Sequence, residues 1–553
     1  MVIRSPYPNI NIPEVDILTF LFGAGEDLPE DPLWINATDA SLYLSQHTAL
    51  QWIKRLAIGL DTLGVKKGDV VMIVTPNHIF VSVAYLGTVG SGRVFSGANP
   101  SYTADEMSYQ MQDLDARIVL VHPSLLDTAR KAAKTANISH DRLYIFSDVE
   151  HQPVDGIRDW RSMLGTPKEA SYYSWPRVSG EAAKSQIATV NYSSGTTGLP
   201  KGVKITHSNL IANVEQSAFA ASVERPGIRP DFEERWIGLL PLYHAYGQLS
   251  SILMAVKTET PVYVMATFIY EDFLRVIETH RITELQVAPP ILVLLNKHPA
   301  TSEYDLSSVR QISCGAAPLS ASLQNRVQER TGAVIRQGWG MTELTCAGIV
   351  IPTGLSDETG SVGCLLSNSQ AMLVDENGKE VATGERGELY IRGPQVSPGY
   401  WKNDRASKET MLEGGWLRTG DVAIANEKGW FWIVDRLKEL IKVSGLQVAP
   451  AELEALLLTH PSIADAGVVG ISDTFSSQEK PRAYVLPKSI DPARPGVSAE
   501  EIEKWVRGKV ARHKWLSGGV VFSVVPKSAA GKIQRKVLRE WARGDAKSGK
   551  AKL

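Results

Sequence analysis

Apolar residues recur at helical spacing from Ala49 to Leu63, where Trp52, Leu56, Leu60 and Leu63 share a face. Gly64 and Gly68 break that pattern, and Val70 to Val74 is then continuously apolar, as a buried strand is. Arg117–Val121 and Leu143–Phe146 read as further strands, with a helix from Ser124 to Lys134 between them. Such alternation predicts mostly parallel sheets covered by helices. Ser147 to Glu181 is polar and carries Pro153, Pro167 and Pro176, so it reads as a long surface connection. The pattern resumes with strands at Leu285–Ala288, Val309–Ser313 and Val334–Arg336. The last two run into small-residue stretches, Cys314 to Ala317 and Gln337 to Glu343, which predict turns at the carboxyl ends of strands. Ligands of open α/β sheets sit there. From about residue 370 short alternating strands (371–374, 388–392, 431–434) predict a small barrel-like β unit. A charged break at 435–438 follows, then a compact α+β segment with helices at 450–460, 500–511 and 532–542. The expected organisation is α/β: a large unit over 1–434, its β-rich part about 370–434, a hinge at 435–438 and a smaller unit over 439–553.

Composition narrows the partners. The chain has 553 residues, 43% hydrophobic and 21% charged, which is ordinary for a globular protein. A formal net charge of −2 supplies no basic field for nucleic acid. Three cysteines, Cys314, Cys346 and Cys364, argue against a disulfide framework. No apolar run predicts a membrane span, and the proline-bearing start lacks the apolar core of a secretory signal. The final Ala551-Lys552-Leu553 follows the small–basic–Leu pattern of a peroxisomal address, so an import receptor is an expected partner and the peroxisome the expected location.

The densest chemistry lies at Tyr192 to Lys204. Ser193, Ser194, Thr196 and Thr197 bring hydroxyls, Gly195, Gly198 and Gly202 let main-chain N–H groups approach a ligand, and Lys201 and Lys204 bring charge. The set suits a polyphosphate. It is not a Walker loop: Lys201 is followed by Gly202, and the flanks read as two strands rather than strand and helix. Composition leaves a phosphate cradle and a plain polar hairpin loop both open.

Beyond this point the ordered motifs carry the reading. YSSGTTGLPKGV (192–203), PLYHAYG (241–247), SCGAAPLS (313–320), QGWGMTEL (337–344), GERGELYIRGPQVSPGYW (384–401), LRTGD (417–421), DRLKELIKVSGLQVAPAELE (435–454) and PKSAAGKIQRK (526–536) resemble, in order, the motifs of the adenylate-forming superfamily. Within it the chain looks closest to 4-coumarate–CoA-ligase-like and luciferase-like enzymes. The resemblance implies two half-reactions: a carboxylic acid and ATP give an acyl-adenylate and pyrophosphate, then CoA displaces AMP. It implies that Ser193 to Gly198, with Lys201, hold the outer phosphates, and that Thr342 meets the α-phosphate while Glu343 binds Mg²⁺. Gly315, Ala316, Ala317, Gln337, Gly338, Trp339 and Gly340 would flank the adenine. Asp421 would take the ribose hydroxyls, with Ile433, Arg436, Lys438 and Gln447 also on the nucleotide side. Lys532 would bridge carboxylate and α-phosphate. His244 would gate and position the acid rather than act as a base, since a carboxylate needs no deprotonation at neutral pH. The acyl pocket would involve Tyr243, His244, Tyr246, Ala317, Gly338, Cys346 and Ala347, suited to an apolar aryl or medium-chain acid. Lys438 matches a hinge about which the smaller unit, acting as a lid, would turn to bring Lys442, Ser444 and Gly445 to CoA. Two departures stand out: Trp339 where Tyr is commoner, and Thr267 where 4-coumarate ligases tend to carry Lys. Three rival readings remain: a luciferase-like oxygenase, a carrier-loading adenylating enzyme and a non-catalytic nucleotide-binding protein.

Overall fold

The structure, a computed structural model, describes residues 2–193, 199–223, 233–443, 446–472, 479–488, 496–528 and 531–548. Ser194 to Gly198, Ser444, Gly445 and the terminal Ala551–Leu553 lie outside the described residues.

The continuous apolar run Val70–Val74 sits in the middle of a seven-stranded sheet, buried on both faces. It pairs in parallel with Val94–Ala98 and Ile118–Val121. One edge of this sheet is the antiparallel pair Ile187–Ser193 and Lys201–Thr206, so the hydroxyl-rich stretch does join two strands. A nine-stranded sheet lies beside it. Its centre is parallel and contains Glu284–Val287, Gln311–Cys314 and Val334–Gly340. A six-stranded sheet forms the β-rich unit from Gln370–Val374, Gly387–Arg392, Trp416–Ala425 and their neighbours, and the strand Ile3–Arg4 joins its edge. Past Phe431–Arg436 come a two-stranded ribbon (Ile441–Val443 with Leu446–Val448) and a three-stranded sheet (Ile463–Ser472, Glu479–Pro487, Val520–Phe522). These last strands enclose a hydrophobic cluster of their own, built on Ile441, Leu453, Val468, Val485 and Ile502.

Four expectations need correction. The stretch 147–181 is no mere surface connection: Trp160 and Trp175 are buried in the main core, because two large rings remove more apolar area from water than the surrounding polar residues cost. Val334 does not end its strand at Arg336. It continues through Gly340, held by antiparallel pairing with Ala347–Val350. Asp435 and Arg436 belong to the strand Phe431–Arg436, so the break from regular structure is the turn at 437–439. Lys532 does not head a helix; it precedes Arg535–Ser548, in a turn where Ser528 N–H donates to its carbonyl at 2.8 Å.

Candidate active site

A cavity of about 890 Å³ opens where the parallel strands of the nine-stranded sheet end. His244, Tyr246, Gly315, Ala316, Gln337, Gly338, Trp339, Gly340, Thr342, Cys346, Ala347 and Lys532 all line it. Residues 288 positions apart are thus brought to one space. Glycine is required at 340: a Cβ there would lie 1.8 Å from the carbonyl oxygen of Cys346. Ala316 holds a left-handed φ of +70°, a conformation costly for a residue with a Cβ.

The carboxylates come from two directions. Glu343 lies in a single turn, Thr342–Leu344, and is buried; it does not cap a helix. Its Oε1 accepts from Ser193 Oγ at 3.2 Å and Tyr400 OH at 2.8 Å. Lys201 Nζ stands 4.2 Å from the centre of the Tyr400 ring, a cation–π contact. Tyr400 therefore links the loop lysine to the acid, and the segment carrying it is strapped to the hairpin by Trp401 N–H donating to Gly202 O at 2.7 Å. Sequence reasoning gave Tyr400 no role, although it stands in a quoted motif. Asp421 lies behind Trp339. Its Oδ2 accepts from Trp339 Nε1 at 2.8 Å and its Oδ1 faces Arg436 Nε at 3.3 Å. Burial raises the Asp421 pKa, and Arg436 opposes that rise. The indole N–H at 339 thus ties the ring that lines the cavity to the buried Asp421 carboxylate.

Lys532 arrives from the C-terminal unit. Gly531 before it has a φ of +77°, and a Cβ there would meet Pro290 Cγ at 3.1 Å and Ala288 Cβ at 3.3 Å. Only a glycine fits that close approach without displacing its neighbours. Desolvation lowers the Lys532 pKa, Arg436 lowers it further, and Asp421, Glu343 and Cys346 pull it back up. His244 is pushed down to about 3, first by burial and then by the Lys532 charge, so it is neutral at ordinary pH. Its Nδ1 accepts from Tyr246 N–H at 3.3 Å, which starts the short helix Ala245–Gly247. That helix runs into a π-helical segment, Gln248–Met254, whose Gln248 exchanges hydrogen bonds with Asn191 at 2.8 and 3.1 Å. The loop strand and the His244 segment are thereby fixed together. Cys346 is an inert thiol, raised to about 12 by burial.

Some expected residues stand apart. Tyr243 and Ala317 do not line the cavity. Ile433 packs among the core residues of the six-stranded sheet. Lys438 sits in the turn after Arg436. Lys442 and Gln447 face each other on the two-stranded ribbon, both exposed. Conversely, Glu284, Gln286 and Arg336 line the far part of the cavity, a polar lining the sequence reading did not foresee.

Known proteins resemble the chain over nearly its whole length. Residues 32–401 match the AMP-binding enzyme family and residues 452–532 the AMP-binding enzyme C-terminal domain. A phenylacetyl-CoA ligase (epaB) of Aspergillus niger is 35% identical over 542 residues, covering 96% of this chain and 98% of the relative. A probable 4-coumarate–CoA ligase 1 of Dictyostelium discoideum is 34% identical over 548 residues, with 97% of each chain covered. The fold matches the crystal structure of the anthranilate CoA ligase AuaEII in complex with anthranoyl-AMP, with a TM-score of 0.84 at 24% identity over 97% of this chain and 99% of that one. The chain belongs to the AMP-binding enzyme family.

Proposed function

We propose that this chain is an AMP-forming acid–thiol ligase that activates a carboxylic acid with ATP and passes the acyl group to CoA. The observation that carries the reading is the convergence of Lys532, His244 and Thr342 on one cavity, with Asp421 and Glu343 held at its edge. In the first half-reaction a carboxylate oxygen attacks the α-phosphorus, an acyl O–P bond forms, and the bond to the bridging oxygen breaks to release pyrophosphate. Charge gathers on the phosphate oxygens, so fixed cations and donors supply most of the rate. Lys532 neutralises the approaching carboxylate and α-phosphate, and Thr342 orients the latter. Trp339 stacks on the adenine while its N–H and Arg436 hold Asp421 for the ribose. Lys201 and Ser193, with Ser194 to Gly198, grip the leaving pyrophosphate. Neutral His244 positions the acid and excludes water.

Mg²⁺ fits the residues present. Glu343 offers one buried carboxylate beside the loop, and a single carboxylate plus phosphate oxygens is a usual set for this ion. When bound it would offset phosphate charge. Among the described residues no group of three or more His, Cys, Asp or Glu forms an all-protein cage.

In the second half-reaction the CoA thiol attacks the acyl carbon and AMP leaves. Lys442 belongs to a different face of the C-terminal unit and is exposed while Lys532 occupies the cavity. The unit over 439–553 turns about the hinge at Lys438 to exchange these faces, bringing Lys442, Ser444 and Gly445 to CoA. The terminal Ala551-Lys552-Leu553 directs the protein to peroxisomes; removing it should leave the protein cytosolic, and an unchanged distribution would refute that address.

Pyrophosphate release across aryl and fatty acids, with and without CoA, tests the activity. Acid-dependent release with ATP alone, accelerated by CoA as acyl-CoA accumulates, is expected. Release that ignores both the acid and CoA would contradict the reading.

A further inference from the structure

The strands Glu284–Val287, Gln311–Cys314 and Val334–Gly340 run along the cavity towards its nucleotide end, and their register sets side chains in rows. Gln286, Ser313 and Arg336 form one row; Glu284, Gln311 and Val334 form the next, farther from the nucleotide. All six line the cavity. The alternate residues Leu285, Ile312 and Ile335 point into a hydrophobic core on the other face. At the usual strand rise, the rows lie about 7 and about 13 Å from the Gly315–Gly338 row at the adenylate end. Central parallel strands are ordinarily apolar on both faces. Here the cavity face is polar, while the helical wall across from it presents Tyr246, Leu249 and Met254.

The polar groups are not all used up by one another. Ser313 Oγ donates to Glu284 Oε1 at 2.7 Å, and Arg336 donates to Ile351 O at 3.0 and 2.8 Å. Gln286 Oε1, in contrast, is buried without a hydrogen-bond partner, in a residue only 5% exposed. A buried orphan acceptor is costly, and in a ligand cavity it marks where a ligand donor belongs. Arg336 in the same row disfavours a cationic group there, which leaves a neutral donor.

We propose that the acid taken by this cavity is elongated and two-sided: apolar along the helical wall, with a hydroxyl remote from its carboxylate that donates to Gln286 Oε1 and, in longer acids, to Glu284. This rests on the ligase reading above and names the substrate class of the same site. An unsubstituted acid of equal length leaves Gln286 unpaired. A second carboxylate that reaches the farther row faces Glu284.

The test pairs octanoic and decanoic acids with their terminally hydroxylated counterparts, read by pyrophosphate release and by isothermal titration. The hydroxy acids should show kcat/KM at least about tenfold higher, with tighter binding, because a site built for a hydroxyl rejects the analogue lacking it. Gln286→Leu, similar in size but without the acceptor, should bring the ratio close to one, with its melting temperature as the check on folding. Pyrophosphate released equally from both members of each pair would overturn this inference and leave the ligase reading intact. Tighter binding of the hydroxy acids without acid-dependent release would uphold the hydroxy-acid assignment of the cavity and overturn the ligase reading. A preference unaltered in folded Gln286→Leu would also overturn the inference.

Discussion

Lys532 and Lys442 belong to the same C-terminal unit and live in opposite surroundings. Lys532 lines the cavity, with a pKa lowered by desolvation and by Arg436. Lys442 lies exposed on a two-stranded ribbon, its backbone N–H donating to Glu479 Oε2 at 2.9 Å. On the ligase reading proposed above, the difference is what one small unit needs to serve two reactions that call for different groups at one place. The chain before Lys532 is shaped for docking, with Gly531 against Ala288 and Pro290. Lys297 Nζ adds a tie by donating to Leu458 O at 3.3 Å and Ile463 O at 3.0 Å.

The sharpest way to separate the two faces is to remove one lysine. Lys532→Ala should slow adenylation on the order of a thousandfold, the scale of losing a transition-state charge partner, while largely sparing thioester formation from pre-made acyl-adenylate. Rapid-quench assays of each half-reaction decide it, and an equal loss in both would break the comparison. Gly531→Ala combines a left-handed backbone with a Cβ pressed on Pro290, so it should cost adenylation about ten- to a hundredfold and again spare the second step. Trp339→Phe keeps a ring for the adenine but leaves Asp421 Oδ2 without its indole donor. Losing one bond to a buried carboxylate costs about 1–3 kcal/mol, so kcat/KM for ATP should fall about tenfold or more. A change confined to stability, with ATP use intact, would show that the bond serves folding alone.

The smallest effect is the most direct reporter of which face is docked. His244 is depressed to about 3 by burial and by Lys532. Replacing Lys532 by Ala removes the second cause, so the His244 titration, followed by NMR, should move up. The linked stability has a definite sign. The unfolded histidine binds a proton below about 6.5 and the folded one does not until about 3, so this contribution is full above that range and drains as pH falls through it. Wild type should therefore lose melting temperature in mild acid more steeply at this site than Lys532→Ala.

Much of the site was legible because its chemistry is local in the chain. The hydroxyl-rich stretch announced a hairpin loop, and the structure has antiparallel strands at both its ends. Lys532 was legible only through its motif; nothing in composition marks one lysine among many, and its burial depends on Gly531 meeting a strand end more than 200 residues earlier. Tyr400 stayed silent because its two partners, Glu343 and Lys201, are distant in sequence. The polar rows were hidden for another reason. Glu284 and Gln286 alternate with Leu285 and Val287, a pattern that ordinarily means one solvent face, and only the assembled sheet shows that this face looks into a cavity.

Lysine-selective labelling with mass-spectrometric readout tests the exchange of faces most directly. With ATP and a non-reacting acid analogue bound, Lys532 should be protected and Lys442 labelled. With a stable acyl-adenylate analogue and CoA bound, the order should reverse. Identical labelling of both lysines in the two states would contradict it.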